Sequence, residues 1–450
     1  MKDKQMNDSS SQVPYPYLVS ATDQYYGVNI TPTEDNQTIM KKRKKEKKKD
    51  SLDRKKRKNL RILIATYWDY PAIGGLQKYI TTLKDGMEKL GHYVDVIAPN
   101  HFPNKIKDLN KKIVTETKQF YINRYGSYSD KIVKENRRLA SYEIMLRNMS
   151  LEKYDIFHAQ DRFTANILGR LNEDYQKPLF FTPHGFMTQR RLNFNLIEQG
   201  SLEEAYFLSL DQKAVESSDH VITLCDTFHP MLEKLGAKES KITTVYTGID
   251  FKSMNPRRAR KKLEDKTIVT CITRLRPRKG HKYLFEALSL LKSTLKNVDV
   301  WIVGDGEMRE ELENQVQDLQ LNNVFFLGER NDIPRLLSQS DIFVLPTTSD
   351  TLPIAIIEAM FAQKAIITTN CGGIPEIIQD NHSGLIAEPG NSLQLAEKLS
   401  LLLSDSALRE TLAQNAKAFA DKHLTSTNMI KKIEEIYQSF HRQGENENAT

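Results

Sequence analysis

The chain has 450 residues, 39% of them hydrophobic, and 65 Lys+Arg against 58 Asp+Glu, a formal charge of +7. That apolar content excludes a mainly disordered protein, and the length suffices for roughly two domains. The charge is not spread out: residues 41–58 carry thirteen Lys/Arg and three acids, a net of +10, while residues 1–40 stand at −3 and residues 59–450 sum to zero.

Residues 1–58 are polar and then polybasic, without helical or strand period, and are expected to be a disordered extension with its basic run at 41–58. Met1–Leu18 lacks a hydrophobic signal region, which points to a cytoplasmic setting. The fold is expected to begin at Asn59, where Leu60–Thr66 reads as a buried parallel strand. Strand-like runs at Tyr93–Pro99, Tyr154–Ala159, Pro178–Pro183, His220–Cys225 and Lys241–Tyr246 then alternate with helical stretches at Leu76–Leu90, Lys131–Met149 and Leu202–Ser217. That alternation predicts a doubly wound parallel sheet over 59–250.

A polar stretch with Pro256 and a basic cluster predicts a linker at 251–265. The alternation restarts at Thr267–Leu275 and predicts a second α/β domain over 266–424. Met429, Ile430, Ile433, Ile436, Tyr437 and Phe440 recur every three to four residues, so 425–442 is expected to be a helix packing across the domains, before a tail at 443–450. The longest apolar runs, Asp341–Pro346 and Leu352–Ala362, fall well short of the roughly 18 residues that a membrane span needs. Cys225, Cys271 and Cys371 stand singly, a spacing that argues against disulfides and against a cysteine-ligated metal.

Four segments at the ends of predicted strands carry candidate chemistry. Gly74-Gly75 opens the first helix and reads either as an ordinary turn or as backbone that passes close to an anion at a helix N-terminus. Arg274 and Lys279 leave a strand's carboxyl end, where they form either a solvated basic loop or a phosphate site; their place in a cleft between two sheets favours phosphate. Val303-Gly304-Asp305-Gly306 lacks the third glycine of a dinucleotide fingerprint and reads as a tight turn lining the cleft. Asp350, Thr351 and Leu352 precede a helix that Pro353 can open, with Glu358 two turns along in an apolar run. Asp350 can be a plain cap and Glu358 a surface residue, but an acid in so apolar a helix calls for hydrogen-bond donors.

Gly74-Gly75, His184-Gly185, Arg274 with Lys279-Gly280, Val303-Gly304-Asp305-Gly306, Asp350 with Glu358, and Gly372-Gly373-Ile374-Pro375-Glu376 follow one another in an order that resembles glycosyltransferase family 4, over about residues 60–440. The resemblance implies a GT-B fold, two Rossmann-like domains facing across a cleft. It implies retaining transfer of a sugar from a nucleotide diphosphate sugar, with no metal and no other cofactor, to a glycan, lipid-linked or other envelope acceptor. By the same resemblance Arg274, Lys279 and the amides of Thr351 and Leu352 hold the diphosphate, and Glu358 takes the ribose. Asp350 contacts the transferred sugar in place of the family's usual Glu, and His184 lies near that sugar as a positioning residue, its other reading being a buried histidine. Gly74, Gly75 and Gly304 line the path of the substrates. Acceptor contacts are assigned to loops such as Pro99–Asn123 and Met187–Gly200.

Two other functions compete. A related GT-B enzyme could epimerise the nucleotide sugar, but the Asp350 to Glu358 segment favours transfer. The basic run could bind nucleic acid, yet it lacks aromatic platforms and the body is neutral, so no nucleic acid is expected. The run reads either as a solvated spacer or as a peripheral contact with anionic lipid on the inner membrane face.

Overall fold

A computed structural model of the chain describes residues 19–27, 59–102, 107–251 and 266–447. The basic run at 41–58, most of the linker and the last three residues lie outside them. Within the extension that the sequence leaves without structure, Val19–Tyr26 forms a helix, α1. Its Asp23, 2% exposed, receives both edges of the Arg124 guanidinium at 2.5 and 2.7 Å and the Tyr125 hydroxyl at 2.7 Å, while Tyr26 stacks on Tyr125. A bidentate pair around a buried acid fixes this short helix, which intrinsic propensity alone would leave unfolded.

The N-terminal domain is a six-stranded parallel sheet of β1 (Arg61–Ala65), β2 (Tyr93–Ile97), β3 (Ile156–Ala159), β4 (Leu179–Phe181), β5 (His220–Thr223) and β6 (Ile242–Thr244), in the order β2-β1-β3-β4-β5-β6. The C-terminal domain is a second one, of β7 (Thr267–Ile272), β8 (Val298–Val303), β9 (Val324–Gly328), β10 (Ile342–Val344), β11 (Ala365–Thr369) and β12 (Leu385–Ala387), in the order β12-β11-β10-β7-β8-β9. Helices cover both faces, so the central strands bury every side chain and read as unbroken apolar runs. In each sheet the winding reverses beside its first strand, between β1 and β3 and between β7 and β10, which opens a crevice at the carboxyl ends of those strands.

Four helices described in the N-terminal domain escape the sequence pattern, one of them the short His229–Lys234. Lys107–Tyr125 buries a stripe of only Ile113, Thr117 and Tyr121, so its period is thin and polar. Arg162–Asn172 buries Arg162, Thr164 and Asn166, polar residues that bond to neighbouring side chains and carbonyls, Arg162 through Nη1 alone. Met187–Asn193 is a helix of seven residues inside a stretch read as loop.

The last helix, Ser426–Glu447, belongs to the core of the first domain and runs through much of the segment expected as tail. Met429, Ile430, Ile433 and Tyr437 pack among Leu60, Ile62, Tyr79 and Leu83. Gly86 admits it, because a Cβ there would stand 2.3 Å from Ile430 Cγ1. The two chain crossings lie side by side, with Ile249 N–H donating to Leu424 O at 3.0 Å and Ser426 N–H to Ile249 O at 3.1 Å. Among the described residues no helix is long and apolar enough to cross a membrane.

Tyr437 ends that packing on His158, a fully buried ring on β3 whose Nε2 lies 2.7 Å from Thr182 Oγ1 and whose Nδ1 meets the Tyr437 hydroxyl. Burial, with a smaller contribution from His184, lowers the His158 pKa from its ordinary 6.5 to about 3. A lowered histidine pKa gives stability that is complete above the unfolded value and lost as pH falls below it. Stability should therefore decline from pH 6.5 downward, by on the order of 2 kcal/mol at pH 5 from this residue alone. Denaturant melts of wild type and His158→Gln between pH 7.5 and 4.5 test this; parallel pH slopes would contradict it.

Candidate active site

The C-terminal half of the crevice is built on the loops after β7 and β10. Lys279, 8% exposed, is ion-paired with Oδ2 of Asp350, and Arg278 Nη1 donates to Oδ1 of the same carboxylate at 3.0 Å and to Ser349 O at 2.9 Å. Burial pushes the Asp350 carboxyl up, but the two cations outweigh it and hold the acid below its ordinary value. Burial likewise pulls the Lys279 ammonium down, and Asp350 offsets part of that. Two glycines let the loops meet. Gly280 (φ 73°) lies where a Cβ would be 1.9 Å from Pro346 O, and Gly372 (φ 55°) where one would be 1.9 Å from Asp350 O.

Gly304 turns inward: its N–H donates to Gly328 O at 2.8 Å, and a Cβ would fall 2.1 Å from Thr273 O. Its amide is used within the protein, so it spaces the Arg274 loop rather than offering a donor. Thr351 and Leu352 precede the helix Ile354–Phe361, and their amides have no acceptor among the described residues, which leaves two N–H groups at the positive end of a helix. Glu358, 8% exposed, is ion-paired across the crevice with Lys78 of the helix Gly75–Lys89.

The N-terminal half meets these loops directly. Arg274 Nη2 donates to Ile73 O, and Gly74 is so close to that guanidinium that a Cβ would lie 2.6 Å from Nη2. Gly75 faces Ile354, its Cβ position 3.8 Å from Cδ1. Thr351 Oγ1 donates to His184 O at 2.9 Å. The His184 ring sits edge-on to Tyr79 with Nε2 3.0 Å from Gln160 Oε1, and burial lowers its pKa to about 3, so it is a neutral imidazole at physiological pH. Glu376 receives the amides of Asp226 and Thr227 at 2.8 and 2.7 Å and so ties the second domain to the first.

The structure thus gathers Asp350, Lys279, Thr351 and His184 at one place and Arg274 with Gly74 at its edge. Sequence reasoning missed Arg278 and Lys78. Arg278 was one cation in a basic loop; Lys78 lies on an amphipathic helix 280 positions from its partner, beyond any local signal. Among the described residues no cluster of three His, Cys, Asp or Glu could hold a metal ion.

Comparison with known proteins bears on both halves. The family model described as Glycosyltransferase Family 4 matches residues 73–253, and that described as Glycosyl transferases group 1 matches 254–419. A Campylobacter jejuni protein named N,N'-diacetylbacillosaminyl-diphospho-undecaprenol alpha-1,3-N-acetylgalactosaminyltransferase is 28% identical over 80% of this chain and 94% of its own. An Escherichia coli UDP-Gal:alpha-D-GlcNAc-diphosphoundecaprenol alpha-1,3-galactosyltransferase is 27% identical over 68% of this chain and 79% of its own. Among solved structures, Anabaena HepE in complex with UDP and glucose superposes with a TM-score of 0.63 at 20% identity, over 85% of this chain and 100% of that one. Sucrose-phosphate synthase from Thermosynechococcus elongatus gives 0.67 at 18% identity, over 86% and 100%. At such identities these two structures establish the shared GT-B fold.

A buried pair broken on one side leaves an uncompensated charge, at a cost of about 3–5 kcal/mol. Asp350→Asn and Lys279→Met should each destabilise the protein, and the double variant should cost less than the sum of the two. Urea denaturation of the four proteins measures the coupling; strict additivity would show that the two charges do not support each other.

Proposed function

The chain belongs to glycosyltransferase family 4, and we propose that it is a retaining, metal-independent enzyme that moves a sugar from a nucleoside diphosphate sugar to a lipid-linked acceptor. The observation that carries this reading is the juxtaposition, in one crevice, of the buried Lys279–Asp350 pair with two unused amides at a helix start.

In this reading Arg274, Lys279 and the amides of Thr351 and Leu352 receive the diphosphate. As the bond from the anomeric carbon to the phosphate oxygen breaks, the second negative charge on the leaving group grows against donors already in position, and no solvent has to reorganise. The acceptor hydroxyl forms its bond to the anomeric carbon on the face that the diphosphate leaves, and its proton passes to the departing phosphate oxygen. The products are the glycosylated acceptor and the nucleoside diphosphate. Asp350 is held ionised by two cations and accepts hydrogen bonds from hydroxyls of the transferred sugar. Neutral His184 positions that sugar and carries no charge of its own. Glu358 takes the ribose hydroxyls once Lys78 has given it up.

Lipid-linked acceptors are what the names of the Campylobacter and Escherichia relatives describe. The basic run at 41–58 suits an acceptor at an anionic membrane surface, since each cation near such a surface contributes about 1 kcal/mol.

With a donor found by screening nucleotide sugars for slow hydrolysis, Lys279→Ala, Asp350→Ala and Glu358→Ala should each abolish transfer, on the order of a thousandfold loss for the phosphate ligand; full turnover by Lys279→Ala would sink the phosphate assignment. Separately, replacing the thirteen Lys/Arg of 41–58 by Gln should remove low-salt binding to liposomes containing anionic lipid and leave turnover on a soluble acceptor intact. This variant is preferable to deleting residues 1–58, which would also remove the docked Asp23 helix.

A further inference from the structure

The winding of the first sheet reverses between β1 and β3, and the residue that follows β3 there is Gln160. Its N–H donates to the carbonyl of Ala65, the last residue of β1, at 2.9 Å, and its side chain is fully buried. Oε1 lies 3.0 Å from His184 Nε2, while the amide nitrogen is buried without a partner among the described residues. An unpartnered buried amide costs free energy, so packing alone does not call for a glutamine here. Asp161 beside it is engaged elsewhere, Oδ1 accepting from Thr164 N–H at 2.9 Å and Oδ2 from Tyr67 N–H at 2.6 Å. The bond to His184 is what the Gln160 side chain makes.

A neutral imidazole has one N–H and one lone pair, and the partner of one nitrogen decides which holds the proton. Oε1 can only accept, so its bond places the proton on Nε2. Tyr79 stands edge-on to the ring at 4.8 Å. Nδ1 has no partner among the described residues; His184 is partly exposed, and its carbonyl accepts from Thr351 Oγ1, next to Asp350, at 2.9 Å. We infer that Gln160 is a positioning residue that fixes His184 as the Nε2–H tautomer, so that Nδ1 accepts a hydrogen bond from a hydroxyl of the transferred sugar. Asp350 is an acceptor too, so the two groups offer lone pairs to hydroxyl protons from opposite domains. This inference rests on the proposed transferase reading, in which His184 positions that sugar, and adds the direction of its hydrogen bond and the residue that sets it.

The test is long-range proton–nitrogen correlation spectroscopy of the full chain carrying isotope-labelled histidine, with His184→Gln to identify the ring's signals. At neutral pH wild-type His184 should show a protonated Nε2 and a lone-pair Nδ1. Gln160→Met, close in volume but without the amide acceptor, should give a mixture of tautomers, and Gln160→Glu, which restores an acceptor, should return the proton to Nε2. UDP-glucose, UDP-galactose, UDP-N-acetylgalactosamine, GDP-mannose and ADP-glucose are then added in turn. The one that binds should shift the Nδ1 signal, and its nucleoside diphosphate should not. Gln160→Met should bind that nucleotide sugar about three- to tenfold more weakly, with affinity for the nucleoside diphosphate within about twofold of wild type. A proton on Nδ1 in wild type, or an unchanged tautomer or unchanged nucleotide-sugar affinity in Gln160→Met, overturns the role of Gln160. If UDP, GDP or ADP binds but no nucleotide sugar moves Nδ1, the sugar contact is overturned. If wild type binds none of these nucleotides, it is the transferase reading that fails, and the spectrum of the free protein still decides the tautomer.

Discussion

A largely buried carboxylate is the constraint on which the rest of the site depends. Asp350 sits at the carboxyl end of a central strand, out of bulk water, and it stays ionised because Lys279 and Arg278 reach it from the neighbouring loop. Neither cation could do so unless the loops touched, and they touch because Gly280 and Gly372 lack a Cβ that would collide with backbone carbonyls. Beside the same cluster the amides of Thr351 and Leu352 have no acceptor among the described residues. Packing and charge are therefore one arrangement seen at two scales.

Several polar contacts run between the two domains. Glu376 on the amides of Asp226 and Thr227, Arg274 on Ile73 O, Thr351 on His184 O and the Lys78–Glu358 pair all cross the crevice. The last of these places a cation on Glu358, the carboxylate proposed to take the ribose hydroxyls. The parallel crossings at Ile249 and Thr425 form the only route by which the chain passes between the two domains among the described residues, and the C-terminal helix returns the second domain's end to the first domain's core.

Most of the fold was legible because central parallel strands are apolar on both faces and leave runs such as Leu60–Thr66 and Ala365–Thr369. The glycines and charges at strand ends were legible for the opposite reason, since nothing in packing calls for them. What stayed hidden was either polar inside or paired at long range. The helix Arg162–Asn172 buries an arginine on Asp211, and the helix Lys107–Tyr125 turns only a narrow stripe inward, so both look like loop. Asp23 looked like one acid in a structureless tail until Arg124, far along the chain, supplied its partner.

The claim that unites these features is that the crevice recognises a diphosphate and not merely a nucleotide. Isothermal titration calorimetry with UDP, GDP and ADP and with the three corresponding monophosphates measures it directly. One nucleoside diphosphate should bind, and its monophosphate should bind at least about tenfold more weakly, because the second phosphate carries the contacts to Lys279 and the Thr351 helix start. Equal affinity for the two, or no binding by any of them, would contradict it.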